Sequence, residues 1–147
     1  MDTGRPDAIN SQPLPLTPCE PSLASADATR ATILLAEDDR AIRRYLEVIL
    51  ERAGYQVVVA ADGLEAMKAA LSSSVDAVVT DAIMPHLGGE QLCRFLRQHP
   101  QLSGLPIILL SGVREATPTA NADAYLSKPV RPEELTGCLA RLLADAG

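Results

Sequence analysis

Short apolar runs alternate with amphipathic segments from Thr32 onwards. Five runs have strand length and are bounded by turn or charged residues, at 33–36, 56–60, 77–81, 105–110 and 124–128. The segments between most of them repeat apolar residues at three- and four-residue spacing, which is typical of helices that pack by one face. Strands that alternate with helices predict a parallel sheet covered on both faces, because parallel neighbours need crossover connections. We therefore expect a doubly wound α/β fold.

The predicted helices have end signals as well as periodicity. Asp38 or Asp39 offers an N-cap for the first helix, and Gly54 ends it. The third helix begins at Gly88 and Gly89 and stops near Pro100. The apolar positions of the four helices are Ile42, Tyr45, Leu46, Ile49, Leu50 and Ala53; Leu64, Ala66, Met67, Ala70 and Leu71; Leu92, Cys93, Phe95 and Leu96; and Leu135, Cys138, Leu139, Leu142 and Leu143.

Length and charge exclude several classes of protein. The chain has 147 residues, 47% of them hydrophobic, which suits one domain with a sizeable core. The net charge is −6 and the basic residues are scattered, so we expect no direct nucleic-acid partner. No apolar run is long enough to cross a bilayer, and no leader-like segment follows Met1. We expect a cytoplasmic protein without membrane insertion.

The first 30 residues differ from the rest of the chain. They contain five prolines and no apolar periodicity, which predicts a disordered N-terminal arm at 1–30 and one folded domain at 31–147. The three cysteines lack metal-type spacing, and Cys93 and Cys138 fall on apolar helix faces, where they are most simply core residues. His86 and His99 are most simply solvated loop residues.

Polar side chains lie at the carboxyl ends of four of the five predicted strands. They are Glu37 with Asp38, then Asp81, Ser111 and Lys128, and no candidate follows the second strand. Each has a simple structural explanation as a helix cap, a turn residue or a solvated charge. Because open parallel sheets bind ligands at the carboxyl ends of their strands, the joint pattern indicates a functional site.

This set of groups suits phosphoryl transfer. Crowded carboxylates repel one another unless a cation is present, and hard oxygen ligands favour Mg²⁺. One carboxylate could then act as the nucleophile toward a phosphoryl group. Lys128 and the Ser111 hydroxyl would bind the remaining phosphoryl oxygens.

The motifs resemble the receiver domain of bacterial two-component response regulators over residues 31–146. The residues that show this are Glu37-Asp38, Asp81 with Met84-Pro85, Ser111-Gly112 and Lys128-Pro129. The resemblance implies a flavodoxin-like five-stranded parallel sheet of order 2-1-3-4-5. It implies that Asp81 is the phosphoacceptor, that Lys128 pairs with its phosphoryl group, and that the Lys128-Pro129 peptide is cis.

The resemblance also assigns a metal site and a switch. Asp38 and Asp81 would bind Mg²⁺ directly, Glu37 largely through water, and the main-chain carbonyl of Ile83 would complete the protein ligands. Ser111 would close on the phosphoryl group while Tyr125 rotates inward, so this pair is the implied switch.

Three features depart from the family pattern. Gly88 stands where an acid or Asn usually caps the third helix. The segment 113–123 is short and contains Pro118, so we expect the family's fourth helix to be short or absent there, replaced by an irregular loop or at most one helical turn. Ile83 and Val113 are apolar where polar side chains could orient an attacking water, so we expect slow autodephosphorylation.

Three classes of function fit the sequence to different degrees. The first is a stand-alone receiver that takes phosphate from a histidine kinase or phosphotransfer protein and signals to a downstream protein target. It would not be an enzyme beyond promoting its own phosphorylation and slow dephosphorylation. The second is a receiver-like interaction module no longer regulated by phosphorylation. The third, a phosphatase with an aspartate nucleophile, would want a second acid where Ile83 stands.

Overall fold

The computed structural model describes residues 30–112 and 121–146. The predicted arm at 1–30, apart from Arg30, and most of the segment 113–123, with Val113 and the position of the family's fourth helix, lie outside these residues. The strands are β1 (Thr32–Ala36), β2 (Gln56–Ala60), β3 (Ala77–Asp81), β4 (Ile107–Ser111) and β5 (Ala124–Ser127). The described helices are α1 (Arg40–Arg52), α2 (Gly63–Ser72), α3 (Gly89–Gln98) and the C-terminal helix (Pro132–Ala146).

The five strands form one parallel sheet in the order β2-β1-β3-β4-β5. The order confirms the predicted doubly wound architecture. Strands β3 and β4 are buried along their whole length, which is why they consist of continuous apolar runs. Strand β5 lies at an edge and is only partly buried. Among the described residues, no helix has both the length and the apolar character to cross a membrane.

Each face of the sheet has its own core, because successive side chains of a strand point to opposite faces. One core packs under α1 and the C-terminal helix and includes Ile33, Leu35, Leu46, Leu50, Val79, Ile108, Leu110, Leu135, Cys138 and Leu139. The other packs under α2 and α3 and includes Leu34, Ala66, Ala70, Val78, Leu92, Cys93, Leu96 and Leu109. Cys93 and Cys138 are buried and free, as predicted.

The helix ends agree with the sequence signals. Asp39 is the N-cap of α1, and its carboxylate accepts a hydrogen bond from the Ile42 N–H at 3.0 Å. Gly54 follows α1 with a φ of 100°, a conformation that glycine adopts without strain. Gly88 is the N-cap of α3, and the Gln91 side chain accepts from its N–H at 2.9 Å in place of a side-chain cap on the residue itself.

Three details differ from the sequence prediction. Strand β4 begins at Ile107 rather than two residues earlier, where Pro106 has no N–H to donate to a neighbouring strand. Strand β5 ends at Ser127, so Lys128 lies in the loop that follows. In α1, the apolar Ile42 and Tyr45 are 37% and 49% exposed, because they lie at the border of the packed face.

Candidate functional site

Three charged side chains continue the alternation of their strands. Alternate residues of β1, β3 and β5 pack in the core beneath α1 and the C-terminal helix, namely Ile33 and Leu35, Ala77 and Val79, and Ala124 and Leu126. Glu37, Asp81 and Lys128 are the next members of these series. Since side chains two residues apart share a face, all three emerge on one side of the carboxyl edge of the sheet. The strand pattern therefore brings two acids and a lysine together.

Lys128 forms ion pairs with both acids. Its Nζ lies 2.9 Å from Asp81 Oδ2 and 3.3 Å from Glu37 Oε1. Burial opposes the lysine charge, but the hydrogen bond to Asp81 and the charge of Glu37 outweigh burial and raise the Lys128 pKa. The backbone fixes the residue too, because the Lys128 N–H donates to the Ser111 carbonyl at 2.9 Å. The Lys128-Pro129 peptide is cis, as predicted.

Glu37 is almost completely buried, with 1% of its surface exposed. Burial raises its pKa to about 7, together with the charge of Asp81 and against a hydrogen bond from the Asp39 N–H and the charge of Lys128. Its Oε2 accepts that bond at 3.1 Å. Its Oε1 is buried, is paired with the Lys128 ammonium at 3.3 Å, and has no geometrically well-formed hydrogen bond among the described residues. One carboxylate oxygen of this site therefore still has bonding capacity.

The three predicted metal-binding carboxylates lie together. Glu37, Asp38 and Asp81 each place one carboxylate oxygen within 4.8 Å of the other two. Asp38 is exposed, whereas Glu37 and Asp81 are buried. A hard divalent cation fits this set, because Mg²⁺ takes oxygen ligands, needs only a few from the protein and keeps waters on its open side. Glu37 Oε1, which is buried and has Lys128 as an ion-pair partner but no well-formed hydrogen bond among the described residues, supports the same fit.

Comparison with known families shows which family this fold belongs to. The family model of the response regulator receiver domain matches residues 33–140. The chain belongs to this family. The receiver domain is a module of two-component signalling, and the match includes Glu37, Asp38, Asp81, Ser111 and Lys128.

Similar proteins agree with this assignment. The chain is 35% identical over 124 residues to the transcriptional regulatory protein GltR of Pseudomonas aeruginosa, a match that covers 81% of the chain and 51% of GltR. The receiver domain thus spans about half the length of the curated relatives it matches. The solved receiver domain of the Francisella response regulator 1452 is 30% identical, with a TM-score of 0.71. The match covers 80% of this chain and 100% of the Francisella domain. A second solved structure is the receiver domain of the sensor histidine kinase PA1611 from Pseudomonas aeruginosa, which has a magnesium ion coordinated in its active-site cleft. It is 31% identical, with a TM-score of 0.74, and the match covers 79% of this chain and 99% of the PA1611 domain.

The predicted switch residues lie on the opposite face of the receiver sheet from Lys128. Ser111 is the last residue of β4 and is 2% exposed. Tyr125 in β5 pairs with Leu109 and packs against the core beneath α2 and α3. Ser111 is two residues beyond Leu109, so Ser111 and Tyr125 share a face of the sheet. Ser111 also follows Leu110, the neighbour of Asp81 across the sheet.

The end of β3 and the loop after it pack closely against two glycines, one at the start of α3 and one at the start of α2. A Cβ on Gly89 would overlap the carbonyl oxygen of Asp81, and a Cβ on Gly63 would overlap that of Leu87. The loop therefore packs between the end of β3 and the start of α2. Ile83, two residues after Asp81 in this loop, is 61% exposed.

Sequence reasoning missed two side chains of α1 that contact the loops of the site. Arg43 Nη1 donates to the Glu37 carbonyl at 2.9 Å, and the Tyr45 hydroxyl donates to the Val130 carbonyl at 3.3 Å. The periodicity of α1 identified its packed face but gave no sign of these contacts. An arginine on the second turn of a helix that follows an acidic loop is the signal that could have suggested the first.

It also missed a pair beside the second strand. Asp62 accepts a hydrogen bond from the Glu65 N–H at 2.9 Å and lies 3.1 Å from His86 Nδ1. The bond from Glu65 and the contact with His86 lower the Asp62 pKa against a smaller effect of burial. His86, predicted to be a lone loop residue, is 70% exposed but paired, and has a φ of 70°. The pair links the loop after β3 to the N-terminus of α2.

Proposed function

We propose that this receiver domain accepts a phosphoryl group on Asp81 with Mg²⁺ and signals through altered binding to a partner protein. The observation that supports this most strongly is the 2.9 Å pairing of Lys128 with Asp81 beside three clustered carboxylates. A structural ion pair would not require two further acids at the same edge of the sheet. Transfer of a phosphoryl group to a carboxylate oxygen requires positive charge beside it to stabilise the phosphoryl oxygens.

In the proposed transfer, an Asp81 carboxylate oxygen forms a bond to phosphorus. The bond from phosphorus to the imidazole nitrogen of the donor breaks, and its electron pair remains on that nitrogen. Lys128 exchanges its ion pair with Asp81 for one with a phosphoryl oxygen. The Ser111 hydroxyl donates to another oxygen. The chain promotes its own modification in this way, without being an enzyme that acts on other molecules.

The residues that would hold Mg²⁺ are Asp38 and Asp81, Glu37 largely through water, and the Ile83 main-chain carbonyl. When bound, Mg²⁺ neutralises carboxylate and phosphoryl charge. The metal-containing receiver of PA1611, which is 31% identical, supports the assignment by similarity. The buried Glu37 Oε1, which is ion-paired with Lys128 but has no well-formed hydrogen bond among the described residues, supports it from the chain itself.

The proposed switch uses Ser111 and Tyr125. Once Asp81 holds a phosphoryl group, Ser111 moves toward it and vacates space on the face it shares with Tyr125. Tyr125 is half-buried and already packs against that core, so inward rotation changes the surface around β5. A Ser111→Ala variant should accept phosphate and fail to change partner affinity.

The proposed partners are a histidine kinase or phosphotransfer protein as donor and a downstream protein as target. The exposed side chain of Ile83, together with Val113, would keep attacking water from the acyl phosphate and slow its loss. The alternative function is an interaction module that is indifferent to phosphate. The geometry offers less support to it, because Lys128, Asp81 and the acidic cluster are all retained.

The test is incubation with a small phosphodonor, with Mg²⁺ or with a chelator, followed by measurement of intact mass. The proposed function predicts one added phosphoryl group only with Mg²⁺, and none in the Asp81→Asn variant. An unchanged mass under both conditions would favour the interaction module.

A further inference from the structure

We propose that Arg43 is a positioning residue that holds the metal-binding loop through the Glu37 carbonyl. The inference rests on the proposed function, in that the site must bind Mg²⁺. Arg43 lies in the second turn of α1 and is half-buried, and its Nη1 donates to Glu37 O at 2.9 Å. This contact is to the backbone, so it restrains where the loop lies without occupying a carboxylate that a cation needs.

The loop is restrained at each residue that flanks Asp38. The Glu37 N–H donates to the Ala60 carbonyl at 3.1 Å, and the Glu37 carboxylate accepts from the Asp39 N–H at 3.1 Å. Asp39 caps α1 through the Ile42 N–H. The Arg43 guanidinium adds the restraint on the Glu37 carbonyl. Asp38 thus stands between two fixed residues, with its own exposed side chain directed by the backbone on either side.

Two roles of Arg43 predict opposite changes in Mg²⁺ affinity when its side chain is replaced. A positive charge near three carboxylates repels a divalent cation, so electrostatics alone predicts tighter Mg²⁺ binding when Arg43 is neutralised. Loss of a backbone restraint predicts weaker binding, because the carboxylates must then be ordered when the ion binds. The direction of the change therefore separates the two roles.

The neighbouring Arg44 provides a matched control. It belongs to the same turn of α1 and has the same charge, but its side chain is 66% exposed and pairs with Glu47 at 3.1 Å instead of with the loop. Arg43→Met and Arg44→Met therefore remove the same charge from adjacent positions of α1. They differ in the hydrogen bond to the Glu37 carbonyl.

The experiment is calorimetric titration of the unphosphorylated full chain with Mg²⁺. For Arg43→Met we expect the dissociation constant to rise about tenfold, the lower end of the range for residues that orient metal ligands. For Arg44→Met we expect no weakening. Arg43→Lys keeps the charge and one donor group, so its affinity should fall between wild type and Arg43→Met. In metal-free protein, the Asp39 amide should exchange faster in Arg43→Met than in Arg44→Met.

Equal or tighter binding by Arg43→Met than by Arg44→Met would overturn the positioning role. If Arg43→Met does not fold, Arg43→Lys and Arg44→Lys form a milder pair, in which the same ordering is expected and equal affinities overturn the proposal. Failure of the metal site on which the proposed function depends gives a different result, since wild type itself would then bind no Mg²⁺. Binding by wild type with no difference between the paired variants would reject the role of Arg43 alone.

Discussion

The ammonium nitrogen of Lys128 lies 2.9 Å from Oδ2 of Asp81, and the same nitrogen lies 3.3 Å from Oε1 of Glu37. One cation therefore faces two buried carboxylates. The lysine approaches from the loop after β5, whereas Glu37 directly follows β1 and Asp81 is the last residue of β3. This single side chain connects the edge of the sheet to its centre.

Removal of Lys128 should destabilise the metal-free protein. Lys128→Met leaves two buried acids without their cation, and we expect a loss of about 2 kcal/mol in the free energy of unfolding, less than for a fully buried pair because the lysine is partly exposed. Adding Asp81→Asn to the Lys128→Met variant should restore most of the lost unfolding free energy. Urea unfolding in the presence of a chelator measures both. Lys68→Met, at an exposed site on α2, is the control and should stay within about 0.5 kcal/mol of wild type. Equal losses at Lys68 and Lys128 would contradict the pairing.

Glu37 should make the metal-free protein less stable as pH rises. Burial raises its pKa from 4.5 to about 7, so the folded chain holds a proton that the unfolded chain releases between these values. Stability is lost as pH rises through this window. Glu37→Gln removes this loss. It should raise the free energy of unfolding by up to about 3 kcal/mol near pH 8, and by much less near pH 5. Urea unfolding at the two pH values tests this, and an equal gain at both would show that burial of a charge is not the cause.

Gly89 should tolerate no side chain. A Cβ there would overlap the Asp81 carbonyl oxygen, so Gly89→Ala must push α3 away from β3. We expect a loss of about 2 kcal/mol in unfolding free energy. Gly137→Ala is the matched control, because its Cβ would meet no atom within 4 Å in the C-terminal helix. It should gain about 0.5–1 kcal/mol. Thermal unfolding of both variants gives the comparison, and a stable Gly89→Ala would exclude the close contact.

Polar side chains at the rim should shorten the life of the acyl phosphate. Ile83 is 61% exposed beside the site, and Val113 lies outside the described residues. Ile83→Asn with Val113→Glu would orient an attacking water, and we expect loss of phosphate to accelerate at least about tenfold. The decay of labelled protein after removal of the donor measures this. Unchanged decay would remove the proposed role of both residues.

Most of the fold and the central site could be predicted from the sequence. Buried parallel strands leave continuous apolar runs, and the acids and lysine that follow β1, β3 and β5 identify the edge where a ligand binds. The pattern left the N-cap of α1 open between Asp38 and Asp39. The structure assigns the cap to Asp39 and brings the Asp38 carboxylate near those of Glu37 and Asp81.

Contacts between distant parts of the chain could not be predicted in this way. Tyr45 reaches the Val130 carbonyl from 85 residues away, and Asp62 meets His86 across a loop whose path no local pattern specifies. Periodicity likewise placed Tyr45 among packed residues, although half of it is exposed. A hydrophobic stripe predicts which face of a helix packs, but not how far the neighbouring elements cover that face.

The central claim is that Asp81 accepts the phosphoryl group. The most direct measurement is peptide-level mass spectrometry of the full chain after treatment with a small phosphodonor and Mg²⁺, with the acyl phosphate trapped before digestion. We predict modification of Asp81 and none at Glu37 or Asp38, with loss of the signal when Mg²⁺ is chelated. An unmodified Asp81 under conditions that saturate the donor, or a phosphoryl group on another carboxylate, would contradict the account.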